Sequence, residues 1–469
     1  MKVFSRRSRT IFWLSLAVIL TLPVGVSCVL AEPLTLEQAL ALARADNPAL
    51  AEARARIAQA RATLAESRAA FWPRLDAGLE YLRGDAPSAY LFKTIDARRL
   101  PPQVDFNDPG RFDNIETSLS ARLNLFAGGG DRLRLRQAGL LVEQARYDHG
   151  ALENDLSAAV IDTFLALLSA RDHVDIARQS VDVLTREVEL AEVRFAGGSL
   201  LRSELLSLNV RLAEAQSERV RAQSAENRLQ AALAVLLGRE TSLTWQPVPE
   251  PFTYAPPADF ESAVRLALRR RPEPGRAARG RDLAELEHGM ARSEYLPRLD
   301  LHARLYHDDP DFSYNDDSLN WTLGAQLSWN LFSGFATRAR EARALGQVQE
   351  RSEALRRQRL EIEREVRDAW LALEEAQAVE TWAQAALSQA RQAFAQVQTR
   401  FSGGAADVTR YLDTELAWHR SQINAAAARR DRQRALAALA RALGEWGGLG
   451  QPSLSGAPSE ERSNDGFNP

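Results

Sequence analysis

The sequence has one cysteine, Cys28, and two lysines, Lys2 and Lys93. A single cysteine excludes an internal disulfide and a thiolate metal cluster. The shortage of lysine does not make the chain acidic, because arginine carries nearly all the positive charge and 59 basic residues stand against 62 acidic ones. A net charge of -3 supplies no basic field for nucleic acid. Long apolar runs are missing beyond residue 31, and the mean hydropathy is -0.31, so no later stretch suits a membrane-spanning helix. If such a chain enters a bilayer, it enters as β-strands. A Gly-x4-Gly-Lys-Ser/Thr motif is also absent, which leaves no loop of the kind that cradles nucleotide phosphates.

The one apolar run, Ile11 to about Val26, follows Lys2, Arg6, Arg7 and Arg9 and is short. This is the pattern of an export signal. The small residue ending Val29-Leu30-Ala31 fits cleavage before Glu32. Lipidation at Cys28 is the weaker alternative, because no bulky apolar residue stands three positions before the cysteine. The mature chain is therefore expected to begin near Glu32, without a lipid.

Beyond the signal the chain is written twice. Phe71-Trp-Pro-Arg-Leu-Asp76 returns as Tyr295-Leu-Pro-Arg-Leu-Asp300, and the same offset of 224 pairs Glu37 with Glu261 and Pro48 with Pro272. Asn124-Leu-Phe-Ala-Gly128 returns as Asn330-Leu-Phe-Ser-Gly334, and Arg194-Phe-Ala-Gly-Gly198 as Arg400-Phe-Ser-Gly-Gly404, both at an offset of 206. The difference of 18 residues is extra sequence in the first half, between Asp76 and Asn124. A repeat with so long a period is a duplication. The expected units are a signal at 1–31, a first repeat at 32–238, a linker at 239–258, a second repeat at 259–444 and a disordered tail at 445–469. Each repeat is expected to hold a helix, a β-hairpin (72–126 or 296–332) and a long helical hairpin (130–238 or 335–444).

Four stretches alternate with a period of two. Leu75, Ala77, Leu79 and Tyr81 are apolar between Arg74, Asp76 and Glu80; Leu119, Ala121 and Leu123 lie between Ser118, Ser120 and Arg122. Leu299, Leu301, Ala303 and Leu305 oppose His302 and Arg304, and Trp321, Leu323, Ala325 and Leu327 oppose Thr322 and Gln326. Runs of about 9–11 residues with one apolar face match transmembrane β-strands. A half-buried soluble sheet shows the same alternation, but charges on the polar face and export favour the membrane. Four strands cannot close, and an open edge in lipid leaves backbone groups unsatisfied. Two copies would give eight strands and three would give twelve with room for a lumen.

From about Gly130 to Phe195 and from Ala336 to Phe401 there is no proline, and Ala, Leu, Arg, Glu and Gln dominate. Each segment predicts a continuous helix of roughly 100 Å. Each ends at a Gly-Gly pair and returns as a shorter helix ending near Gly238 or Gly444. A first helix in each half, about Leu36 to Ala70 and Phe260 to Glu294, leads into a strand. The helices carry too many polar positions for a solid bundle, and a tube wet on both sides accommodates them.

The opening Leu34-Thr-Leu-Glu-Gln-Ala-Leu with Asn47-Pro48, the Pro-Arg-Leu strand entries, Leu125-Phe-Ala-Gly-Gly129 and Leu331-Phe-Ser-Gly334, and the paired Arg-Phe-x-Gly-Gly tips together resemble the TolC-like outer membrane factors, over about Leu34 to Gly444. The resemblance implies an α plus transmembrane β fold: a homotrimer with a shared twelve-stranded barrel in the outer membrane lipid, continued by a helical barrel in the periplasm. It implies tip-first docking onto a periplasmic adaptor and an inner-membrane transporter, for efflux or type I secretion. The transporter would supply the energy, and no enzyme activity or cofactor is expected. A non-conducting trimeric spacer or adhesin stalk is the alternative, and the strands favour the conduit. A periplasmic adaptor would require a lipoyl-like β domain between its hairpins, and none is visible.

Asp407, Arg410 and Asp413 follow the second Gly-Gly pair, and Glu204 follows the first at the repeat position of Arg410. Threefold symmetry would turn each into a ring, a recurring selectivity device, with Glu204 and Arg410 pairing between neighbouring tips. The opposing interpretation is ordinary helix-start charge favoured by the dipole. Arg194, Phe195, Gly197 and Gly198, with Arg400, Phe401, Gly403 and Gly404, are the candidate adaptor-docking tips. His302 and His307 beside Asp308, Asp309 and Asp311 could suggest a metal site, but odd spacing puts the histidines on opposite strand faces. The plainer expectation there is an acidic external loop running through Asp316 and Asp317.

Overall fold

The computed structural model describes residues 32–105, 107–311 and 318–446. The expected export signal, Asp316 and Asp317 in the acidic stretch, and the tail from residue 447 lie outside them. A short strand β1 (Glu32–Leu34) leads into α1 (Leu36–Asp46), where Thr35 and Gln38 form a reciprocal capping box. Next come α2 (Pro48–Ser67) and a 3-10 turn, Arg68–Phe71. The second half repeats this as α6 (Phe260–Arg270) and α7 (Pro272–Ser293). Neither half has the single first helix expected from the sequence. A residue before proline is held extended, and Asn47 (ψ 124°) and Arg271 (ψ 138°) break the helix ahead of Pro48 and Pro272.

Two 67-residue helices dominate, α4 (Gly130–Ala196) and α8 (Ala336–Ser402), each roughly 100 Å long. They fold back as α5 (Arg202–Leu236) and α9 (Val408–Ala442). Buried apolar residues gather in patches along them, not in one seam. One patch joins α1, α4 and α5 around Ile161, Phe164, Leu165 and Leu233, and another joins α6, α8 and α9 around Ile362, Val366 and Leu439. The linker is more structured than its proline content suggests. β4 (Trp245–Pro247) pairs parallel with β1, Glu32 opposite Trp245, which ties the start of the first repeat to its end.

The four alternating stretches become β2 (Arg74–Gly84), β3 (Phe112–Ala127), β5 (Arg298–Asp309) and β6 (Leu319–Ser328). They form one antiparallel sheet in the order β2-β3-β5-β6, with β2 and β6 as free edges. Odd residues face odd residues: Leu75 opposes Ala121, Ala121 opposes Ala303, and Ala303 opposes Leu323. The apolar face is thus continuous across the sheet, as the period of two requires. Nothing among the described residues covers it, and Trp321 and Leu323 are 73 % and 69 % exposed. A half-buried soluble sheet would have this face packed, so its exposure favours lipid. Trp72, Trp329, Phe332 and Phe335 are also exposed at the end where the strands join the helices, the position of an interfacial aromatic belt. No described helix is long and apolar enough to cross a membrane.

The 18 extra residues have a structural identity. The connection from β2 to β3 runs over 85–111, whereas that from β5 to β6 runs over 310–318, and the longer one contains α3 (Pro87–Asp96). Asp308 and Asp309 belong to β5 and are buried. They are therefore not part of a solvated loop: Lys93 and Asn114 engage Asp308, and Arg99 engages Asp309. His302 lies on the polar face over Gly324, and His307 on the apolar face, 2.7 Å from Ser318 Oγ.

Candidate functional site

Both hairpin tips are built by the same backbone device. Gly198 (φ 76°) and Gly404 (φ 75°) sit in the left-handed region that glycine occupies at no steric cost. The Ser199 N–H donates to the Arg194 carbonyl at 2.9 Å and the Ala405 N–H to the Arg400 carbonyl at 2.8 Å, the long bond of a Schellman stop. The duplicated Arg-Phe-x-Gly-Gly segments are thus first of all helix terminators.

The charged residues after the turns separate into two kinds. Asp407 caps α9, its carboxylate accepting from the Arg410 N–H at 2.7 Å. Glu204 does the equivalent for α5, accepting from the Leu201 N–H at 2.9 Å. These two carboxylates satisfy helix-start donors, as the opposing interpretation of the sequence held. Arg410 and Asp413 are exposed one helical turn apart on α9, and neither side chain bonds within the chain among the described residues. They are the members of the proposed ring left free to act.

The two tips differ where the sequence repeats. Phe195 is 41 % exposed, but its counterpart Phe401 is 5 % exposed. Phe401 stacks on Tyr411 with ring centroids 4.8 Å apart, under the Arg194 guanidinium 5.5 Å away, while Arg194 also donates to the Ser402 carbonyl at 3.2 Å. Arg194 therefore clasps one hairpin tip to the other. Phe401 joins this contact and offers no ring to a docking partner, unlike Phe195. Below it, Phe394 stacks on Trp418 at 4.8 Å, and Leu208 and Val408 complete an apolar cluster between the hairpins.

Tyr411 is fully buried and its hydroxyl has no partner among the described residues. Burial first, then the nearby carboxylates of Glu187 and Glu415, push the phenol well above its ordinary value. An unmade buried hydrogen bond costs about 1–3 kcal/mol. Tyr411→Phe is accordingly expected to leave the thermal midpoint unchanged or raise it, and a fall would mean that the hydroxyl has a partner in the assembled protein.

One turn further along α9, Glu415 joins the hairpins in a way that no local sequence signal reveals. It is 1 % exposed, accepting from Ser180 Oγ of α4 at 3.0 Å and from Arg211 Nε of α5 at 3.1 Å. His419 Nε2 lies 3.1 Å from Glu218 Oε2 one turn beyond. Arg430 to Asp172, Arg434 to Asp162 and Arg441 to Asp155 continue the α9 to α4 seam. Only Glu415 and Arg211 in this series are a pair buried on both sides. Pairs of this kind are costly to break.

The sequence profile of the outer membrane efflux protein family matches residues 39–239 and 263–445. Those two segments correspond to the two repeats. The chain is 25 % identical over 339 residues to the pyoverdine export outer membrane protein OpmQ of Pseudomonas aeruginosa, covering 72 % of this chain and 71 % of that one. It is 26 % identical over 437 residues to protein CyaE of Bordetella pertussis, covering 92 % and 87 %. Among solved structures, the outer membrane channel CmeC of Campylobacter jejuni superposes with a TM-score of 0.78 at 17 % identity, over 87 % of this chain and 85 % of that one.

Proposed function

We infer, since the chain belongs to the outer membrane efflux protein family, that its copies assemble as a trimer into one conduit through the outer membrane and periplasm. The observation that carries this is a sheet with one uncovered apolar face and two unpaired edges, joined directly to two helical hairpins roughly 100 Å long. An edge in lipid must be paired, so β6 of one copy meets β2 of the next, and three copies give twelve strands. The helices support the same closure. α7 packs on both α8 and α4, whereas α2 packs on α4 and leaves its other side exposed. By the repeat, that side is where α8 of a neighbouring copy belongs.

In such a tube the polar sheet face lines the lumen, and cargo passes without chemical change. The helical tips point away from the membrane, toward a periplasmic adaptor and an inner-membrane transporter that supplies energy. Exposed Phe195 and the turn at Gly197 and Gly198 are the adaptor-facing surface, with Gly403 and Gly404 forming the second turn. Asp413 and Arg410 converge around the axis as the periplasmic constriction. A non-conducting stalk would have no use for a polar face that closure turns inward.

Single-channel recording in planar bilayers tests this. Conducting trimers are expected from the wild-type protein; Asp413→Ala should weaken cation preference, and Arg410→Glu should raise the open conductance. Silence of the wild-type protein would rule out the conduit, whereas normal conductance with both variants unchanged would move the gate elsewhere.

A further inference from the structure

The extra helix α3 leaves two large apolar side chains, Phe92 and Ile95, on the face turned away from the sheet. Ala89, Lys93 and Asp96 form the stripe toward the sheet, with Tyr90 edge-on to Phe112 of β3, and Ser88, Phe92 and Ile95 form the opposite stripe. Its hydrogen bonds go to even-numbered strand residues, on the polar face, while Arg99 just beyond its end reaches Asp309. Lys93 Nζ donates to Glu116 at 2.6 Å and to Asp308 at 2.9 Å; Tyr306 donates to Asp96 at 3.1 Å, and Asn320 donates to the Asp96 carbonyl at 2.9 Å. Arg304 closes the network through Glu116. Lys93 is the only lysine beyond residue 2. Burial opposes its charge, but hydrogen bonds from its ammonium to Glu116 and Asp308 outweigh burial and raise its pKa above the ordinary value.

The helix is thus pinned by charge to the sheet face that points away from lipid, at the end of the sheet far from the helical hairpins. Its apolar stripe, with Phe92 66 % and Ile95 43 % exposed, is left uncovered by the described residues. In a closed ring the space facing this stripe is the lumen, and the apolar surface available there is the same stripe on the other copies. Each helix is about 10–12 Å wide with its side chains, so three of them take up much of the opening.

We propose that α3 is an inward-facing plug at the outer mouth of the barrel, in which the Phe92 and Ile95 faces of neighbouring copies meet around the axis as a hydrophobic constriction. This rests on the reading that the sheet closes as a ring of copies. An apolar constriction resists water and ions by dewetting, so the outer mouth carries a barrier separate from the one at the periplasmic tips. Lys93 is its anchor: freed from Glu116 and Asp308, the helix can swing off the wall and let cargo leave.

Three measurements on the full-length protein, the first after purification and the other two in outer membranes, decide it. Light scattering of the purified protein gives the number of copies. Phe92→Cys under mild oxidation is expected to give disulfide-linked dimers that the parent chain does not form. External labelling of Ser120→Cys, on the polar face deeper in the barrel, by a sulfonated fluorescein maleimide is expected to be slow and to accelerate about tenfold when Phe92→Ser and Ile95→Ser are added, as loss of an apolar barrier predicts. An assembled ring lacking either the cross-link or the acceleration overturns the plug and leaves the ring standing. A protein that does not assemble overturns both.

Discussion

Glu415→Ala is expected to lower the stability of the helical hairpins by about 3–5 kcal/mol, because it takes the buried partner from the Arg211 guanidinium and leaves it only the longer contact to exposed Glu214 at 3.7 Å. The same change removes the acceptor for Ser180 Oγ. Glu415→Gln keeps an acceptor for Ser180 and removes only the charge, so its effect should be intermediate. Trp418 stacks on Phe394 within the adjoining cluster, so in a background that keeps Trp418 and replaces the other tryptophans by Phe, emission on heating is a local reporter of this contact. If the two hairpins must separate for the tips to open, Glu415→Ala should also increase the open probability in bilayers. An unchanged emission midpoint would show that Glu415 does not hold the hairpins together.

Leu323→Arg should cost about 2–4 kcal/mol when the protein folds into vesicles, as expected for a charge on a lipid-facing strand position near mid-bilayer. Thr322→Arg, at the adjacent residue on the opposite face, introduces the same charged side chain toward water. The difference between the two variants reports mainly the environment of the faces, since the introduced side chain is the same and the backbone positions are adjacent. Urea-induced unfolding from lipid vesicles reads it directly. Equal costs would mean that the odd face does not meet lipid.

The neighbouring residues Phe401 and Tyr411 show where local pattern stops being informative. Phe401 and Phe195 occupy equivalent repeat positions, yet one is buried and the other exposed. Duplication equalises local sequence and backbone, so both segments make the same helix stop. It does not equalise surroundings: Arg194 reaches across to the second tip, and no reciprocal bond from Arg400 to the first was found among the described residues. Glu204 and Asp407 were legible as helix-start charges, and their carboxylates are spent on backbone N–H groups next to them in the chain.

The sequence by itself determined the strands, their apolar face, the two long helices and their turns, because each depends on residues within a few positions of one another. A period of two places odd residues on one side whatever the strand pairs with, an unbroken proline-free run continues as helix, and a Gly-Gly pair ends it. The 18-residue surplus was countable for the same reason, but its folding into α3 was not. A ten-residue helix is marginal alone, and this one is held by Lys93 reaching Asp308, 215 residues away. The tertiary structure alone decided which charges are buried together. Ser180, Arg211 and Glu415 come from three helices, and their meeting depends on how the hairpins are rotated and shifted against each other, a quantity that no local period encodes.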